Sequence, residues 1–144
     1  MSISIRSRPR GFPRLDLVRQ VEAILAAEKK KGADLTLIFL GSQKMAELNL
    51  RYRQRKGPTD VLAFPADAAG PRDESKSYLG EVIICLPRVR QNARKYQENF
   101  IREFRRVLFH GVLHLLGYDH EQGRRRAILM KKKEEYYSSL KNHD

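Results

Sequence analysis

The chain carries a single cysteine, Cys85. One cysteine closes no internal disulfide, so the fold does not depend on an oxidising compartment. Its apolar neighbours Ile83, Ile84 and Leu86 mark it as a small buried residue of a strand. No apolar run approaches the roughly 20 residues that a membrane helix needs. The opening stretch MSISIRSRPRG lacks the uninterrupted apolar segment of a secretory signal, and its alternating Ile3 and Ile5 suit a short first strand. These absences lead to the expectation of a soluble cytoplasmic protein with no membrane partner. Acidic residues are the other shortage. Asp and Glu number 17 against 29 Lys and Arg, a formal net charge of +12. Such an excess points to a polyanionic partner, nucleic acid ahead of anionic membrane, with a merely solubilising basic surface as the alternative. The clusters Arg51-Tyr52-Arg53-Gln54-Arg55-Lys56, Arg124-Arg125-Arg126 and Lys131-Lys132-Lys133 favour the nucleic acid.

What is present fits one domain spanning residues 1–144, with 41% hydrophobic residues to build a core. Leu17, Val21, Ile24 and Leu25 recur at helical spacing between Leu15 and about Lys31, and Gly32 is expected to end that helix. Leu35 to Leu40 is short, apolar and partly β-branched, a buried strand. Gly41-Ser42 stops it, with Ser42 the expected N-cap of a helix that carries Met45, Leu48 and Tyr52 on one face and that Pro58 keeps from continuing. Asp60 to Phe64 reads as a second strand, residues 66–77 as an exposed loop, and Leu79 to Leu86 as a third strand closed by Pro87. A short helix through Val89, Ala93 and Tyr96 follows. A longer helix then runs from Phe100 to Leu116, with Gly117 as a left-handed cap, and a last helix passes through Ile128 and Leu140. Strands and helices without a regular βαβ repeat predict an α+β fold, a small mixed sheet packed with helices.

The segment FHGVLHLLGYDH, residues 109–120, carries the chemistry. His110 and His114 stand four apart on a helix, which puts both imidazoles on one face, one turn apart. Gly117 permits the reversal that can return His120 to the same point. Three neutral imidazoles suit zinc and leave its fourth position open, the arrangement of a catalytic rather than a structural site. The remaining histidine, His143, lies in a polar tail. The pattern H-x3-H-x2-G-x2-H has the spacing of the metzincin protease motif HExxHxxGxxH. In those proteases the residue after the first histidine is the glutamate that acts as general base. Here it is Gly111, which cannot accept a proton.

With these residues in view, the sequence resembles the YbeY endoribonucleases, a family of rRNA maturation factors. The resemblance rests on HGVLHLLGYDH at 110–120, on NLRYRQRKGPTDVLAFP at 49–65 and on LGEVIIC at 79–85, in that order along most of the chain. It implies a zinc-dependent, single-strand-directed endoribonuclease for rRNA ends and ribosome quality control, on an α+β fold related to the metzincins. His110, His114 and His120 fall on the family's metal ligands, so one Zn2+ is implied per chain. Arg53 falls on the family's functionally important arginine, and with His114 it is the expected catalytic pair. A guanidinium offers phosphate a planar fork that stays charged. Ala63 stands where the family often has Ser, Glu81 where it often has Asp, and Lys56 where an acidic residue is common.

The chemistry these residues suit is metal-assisted phosphodiester hydrolysis. Zinc lowers the pKa of a water to about 7 or polarises a phosphoryl oxygen, Arg53 would offset the charge gained in the transition state, and the basic surface would hold RNA in a salt-sensitive way. Glu81, Asp119 and Glu121 are candidates for the general base by chemistry alone, and Asp119 is equally suited to orienting a ligand histidine. Two other functions compete. One is an rRNA- or small-subunit-binding assembly factor with a structural metal; the other is a metallopeptidase, which Gly111 disfavours.

Overall fold

Alternation along the strands sorts the apolar residues onto two faces, and the helices cover both. The computed structural model describes residues 3–66, 78–118 and 124–139. Their elements are β1 (Ile3–Arg6), α1 (Arg14–Ala27), β2 (Asp34–Phe39), α2 (Ser42–Arg53), β3 (Val61–Pro65), β4 (Tyr78–Ile84), α3 (Leu86–Lys95), α4 (Phe100–Leu115) and α5 (Arg124–Ser139). The sheet has the order β1-β2-β4-β3. β1 and β4 both run parallel to β2, while β3 pairs antiparallel with β4 and forms an edge. The expected α+β fold with a small mixed sheet is observed. The parallel β1-α1-β2 crossover is a βαβ unit that local patterning did not reveal. None of the described helices is long and apolar enough to cross a membrane.

One face of the sheet contributes Ile3, Leu35, Leu37, Phe39, Val82 and Ile84 to the main core, against Leu17, Val21 and Ile24 of α1, Val89 of α3 and Phe104, Leu108 and Val112 of α4. The other face brings Leu62 and Ile83 together with Cys85 and Met45 of α2, bordered by Ile38, Leu48 and Phe64. Burial of these side chains is the main favourable term in holding the layers together. Cys85 is fully buried as expected, but it stands at the N-cap of α3 rather than inside a strand.

The boundaries depart from the sequence reading where caps decided them. α1 ends at Ala27 rather than near Lys31, because Lys29 adopts a left-handed φ of 61°. Gly41, not Ser42, is the N-cap of α2, and Gln54 with φ 53° ends that helix before Pro58 is reached. β4 stops at Ile84, since Leu86 and Pro87 open α3, where proline's missing N–H costs no hydrogen bond. In α4 the side chain of Asn99 accepts a hydrogen bond from the Arg102 backbone N–H, a conventional N-cap.

Candidate metal centre

Helix α4 lies close over the pairing of β3 with β4, and one residue permits that approach. A Cβ on Gly111 would stand 2.5 Å from Val82 Cγ1 and 3.2 Å from Val61 Cγ2. Only the missing side chain lets the helix settle there. Position 111 therefore faces the sheet, while His110 and His114 are each half-buried. A glutamate at 111, where the metzincin base stands, has no room.

The helix ends as its sequence predicts. Gly117 has φ +101°; its N–H donates to the His114 carbonyl at 3.1 Å and the Tyr118 N–H to the Leu113 carbonyl at 3.1 Å. These two bonds are a Schellman closure, which satisfies terminal carbonyls and turns the chain sharply away from the helix axis. Tyr118 is then tied down. Its hydroxyl donates to Glu28 Oε1 at 2.8 Å, and Lys133 Nζ donates to Glu28 Oε2 at 2.7 Å while standing 5.3 Å from the Tyr118 ring centre. Burial, followed by the bond to Glu28, raises the tyrosine's pKa above its ordinary value. The bond to Glu28 leads in raising that of Lys133. Lys133, counted in the sequence among the basic clusters that favour a nucleic acid, is thus a link between α5 and the end of α1. Lys131 and Lys132 beside it are exposed. The side chains of Arg124, Arg125 and Arg126 lie outside those described.

Two of the three expected metal ligands lie within the described residues. His110 Nδ1 is hydrogen-bonded to Glu134 Oε1 of α5, and Glu134 is buried. His114 Nδ1 is buried as well. The bond to Glu134 leaves Nε2 of His110 as the nitrogen suited to an incoming metal. His120, like Asp119, Glu121 and His143, lies outside the described residues, and within them no three His, Cys, Asp or Glu side chains form a metal-holding group. The donor chemistry of the described residues nonetheless fits zinc: two imidazoles one helical turn apart, one of them backed by a carboxylate.

Further polar groups extend along α4. Glu103, also buried, takes a paired hydrogen bond from Arg106 Nε and Nη2, each at 2.8 Å, and Asp60 lies 3.9 Å from Arg106 Nη2. The bond to Glu103 leads in raising the pKa of Arg106, with Asp60 and Glu134 adding to it. Glu134 escaped the sequence reading. It sits in the run KKKEEYY and meets its histidine across 24 residues of chain, so no local spacing signals it. Among the candidate bases, Glu81 alternates with Ile83 and so faces α2, on the opposite side of the sheet from α4. Chemistry alone had made it a candidate; the pleat sets it apart from the histidines.

Arg53 is the last residue of α2 and is exposed, as are Arg51, Arg55 and Lys56. The loop that follows is held by Asn49, a buried residue whose Nδ2 donates to the Gly57 carbonyl at 2.8 Å. Tyr52, 54% exposed, rests edge-on against Phe64 of β3 with ring centres 5.3 Å apart, and Arg51 stands 5.7 Å from its ring centre. Arg53 and the histidines thus sit on helices covering opposite faces of the sheet. Arg106 lies near Asp60, and Gly111 against Val61 and Val82, so α4 advances along β3 toward Phe64 as it reaches His114. The end of α2 approaches that same part of the edge strand from the other side.

A mixed sheet with an antiparallel edge, and a histidine-bearing helix laid over that edge, define the architecture. The family model described as Endoribonuclease YbeY matches residues 5–141. The chain is 44% identical over 108 residues to the Endoribonuclease YbeY of Thermodesulfovibrio yellowstonii, covering 74% of this chain and 67% of that one. With the protein of the same name from Bacillus thuringiensis it shares 35% identity over 114 residues, 74% of this chain and 73% of that one. The solution structure of TM1509 from Thermotoga maritima superposes with a TM-score of 0.62 at 31% identity, covering 95% of this chain and 87% of that one. The chain belongs to the YbeY family.

Proposed function

We propose that this chain is a zinc-dependent endoribonuclease that cuts single-stranded RNA, with rRNA ends on the small ribosomal subunit as its substrate and the cytoplasm as its place of work. The observation that carries this reading is the placement of His110 and His114 on one turn of α4, which closes at Gly117, in a chain whose relatives are named endoribonucleases. His110, His114 and His120 would hold one zinc ion, which when bound supplies Lewis acidity toward a water and a phosphoryl oxygen. The protein's own groups do the rest. Arg53, at the exposed end of α2, binds phosphate with its planar fork and offsets the charge gained as the phosphorus is attacked. Tyr52 offers an aromatic surface to an unpaired base, and the net charge of +12 supplies sequence-independent affinity.

The metallopeptidase reading keeps the histidine spacing but lacks the base. Gly111 lacks a proton-accepting side chain, and its contacts with Val82 and Val61 leave no space for one. The assembly-factor reading differs in a single outcome. Zinc content and cleavage of a structured rRNA fragment are measured together on the wild type and on His114→Ala. About one zinc per chain and cleavage in the wild type, both lost in the variant, support the proposal. Zinc-loaded wild-type protein that binds the fragment without cutting it would establish the assembly factor instead.

A further inference from the structure

Helix α5 contributes a side chain to the neighbourhood of the metal centre. Glu134 is 5% exposed and bonds His110 Nδ1, which leaves Nε2 of that ring as its ligating atom. An imidazole with a carboxylate on one nitrogen is held in one tautomer and one orientation, and its other nitrogen becomes a better donor to a metal. The same carboxylate acts on the Arg106 guanidinium, which in turn is paired with Glu103 and lies near Asp60. The half-exposed Arg106 thus stands among three carboxylates, Asp60 and the buried Glu103 and Glu134, the last of which also holds His110. Beyond it, Lys133, the neighbour of Glu134 on α5, is bound to Glu28 at the end of α1. α5 is therefore held by polar contacts at adjacent residues, one to a ligand histidine and one to the far end of the main core.

We infer that Glu134 is a positioning residue for the metal: its carboxylate fixes His110 with Nε2 toward the zinc, and through that bond metal affinity and the docking of α5 are coupled. The inference rests on the zinc site proposed above. Coupling of this kind is reciprocal. What docks α5 raises metal affinity, and bound metal protects α5 from opening. A carboxylate that only filled space in the core would show neither effect.

The test uses the full chain with zinc and, separately, with cobalt as a spectroscopic stand-in. Zinc affinity is measured by chelator competition for the wild type, Glu134→Gln and Glu134→Ala, and hydrogen exchange of α5 is followed with and without zinc. Loss of an outer carboxylate that orients a ligand typically lowers metal affinity about 10- to 100-fold. Glu134→Ala should fall in that range. Glu134→Gln, which keeps an acceptor oxygen at the same reach, should recover part of the loss. The cobalt absorption bands should keep their intensity in both variants, because the ligands themselves are unchanged, and zinc should slow exchange in α5 of the wild type more than in Glu134→Ala. Wild-type affinity in Glu134→Ala, with α5 exchange indifferent to zinc, overturns the inference and leaves the zinc site standing. A change of cobalt band pattern together with an equal, larger loss of affinity in both variants also overturns it, by making Glu134 a ligand. A wild type that takes up no zinc overturns the inference and the proposed function together. Melting curves of the metal-free proteins identify a variant that has lost its fold, and Glu134→Gln, nearly identical in shape, carries the test if Glu134→Ala does not fold.

Discussion

Replacing Gly111 by alanine sets two effects of opposite sign against each other. Helix propensity alone favours the change by about 1 kcal/mol, since glycine is the poorest ordinary residue inside a helix. Packing opposes it. The new Cβ would lie 2.5 Å from Val82 Cγ1, whereas carbon atoms rest about 3.5–4.0 Å apart, so a gap of about 1 Å has to open. Val82 is fully buried on β4, which is flanked by β2 and β3, and its branched side chain has little rotamer freedom. The sheet cannot retreat, so α4 must lift. Overpacking of this kind costs about 1–3 kcal/mol. Taken with the propensity gain, the net loss centres on about 1 kcal/mol, and for a domain of this length that lowers the melting temperature by about 3–5 °C. Thermal unfolding followed by circular dichroism measures it, with Gly111→Val as the larger step in the same direction. A melting temperature for Gly111→Ala at or above that of the wild type would refute the claim that the close approach of α4 to the sheet selects glycine here. The same geometry predicts that Gly111→Glu yields unfolded or insoluble protein rather than a peptidase.

Other consequences are open to direct measurement. Arg53→Glu should abolish rRNA cleavage while leaving zinc content and melting temperature near the wild-type values, because the residue is exposed at a helix end. Arg53→Lys should recover RNA binding better than cleavage, since lysine keeps the charge but not the fork; wild-type cleavage by Arg53→Glu removes the residue from the mechanism. The Glu28–Tyr118–Lys133 cluster predicts an alkaline loss of stability. The pKa values of Tyr118 and Lys133 are both raised on folding, so the folded state holds these protons more tightly than the unfolded chain. That contribution is fully present below the unfolded values, about 10 for both groups, and disappears as pH rises through the higher folded values. Urea unfolding at successive pH values between neutrality and about pH 11 should show a decline that Glu28→Gln makes shallower; an equal decline in both proteins would mean that the cluster does not report on the folded state.

Much of the candidate site could be read locally because local geometry builds it. A spacing of four on a helix puts His110 and His114 on one face whatever surrounds them, and a glycine after the last apolar turn is the residue a Schellman closure takes, as Gly117 does. Short apolar runs bounded by glycine or proline in the same way marked the strands that carry the two cores. Helix ends were less legible. Lys29 and Gln54 took left-handed conformations that their residue types do not advertise, and α1 and α2 stopped at them rather than at Gly32 and Pro58. What only the tertiary structure decided concerns residues distant in the chain. The packing of α4 on one face of the sheet and α2 on the other put Glu81, which alternates with Ile83, on the side away from the histidines. The seating of α4 on Val61 and Val82 turned Gly111 from a missing base into a packing requirement. The docking of α5 brought Glu134 to His110 and Lys133 to Glu28. Backbone propensity and side-chain period act over a few residues, so they are written in the sequence at short range. A contact across 24 or 105 residues exists only once whole layers have packed, and its energy depends on burial that no single segment possesses by itself.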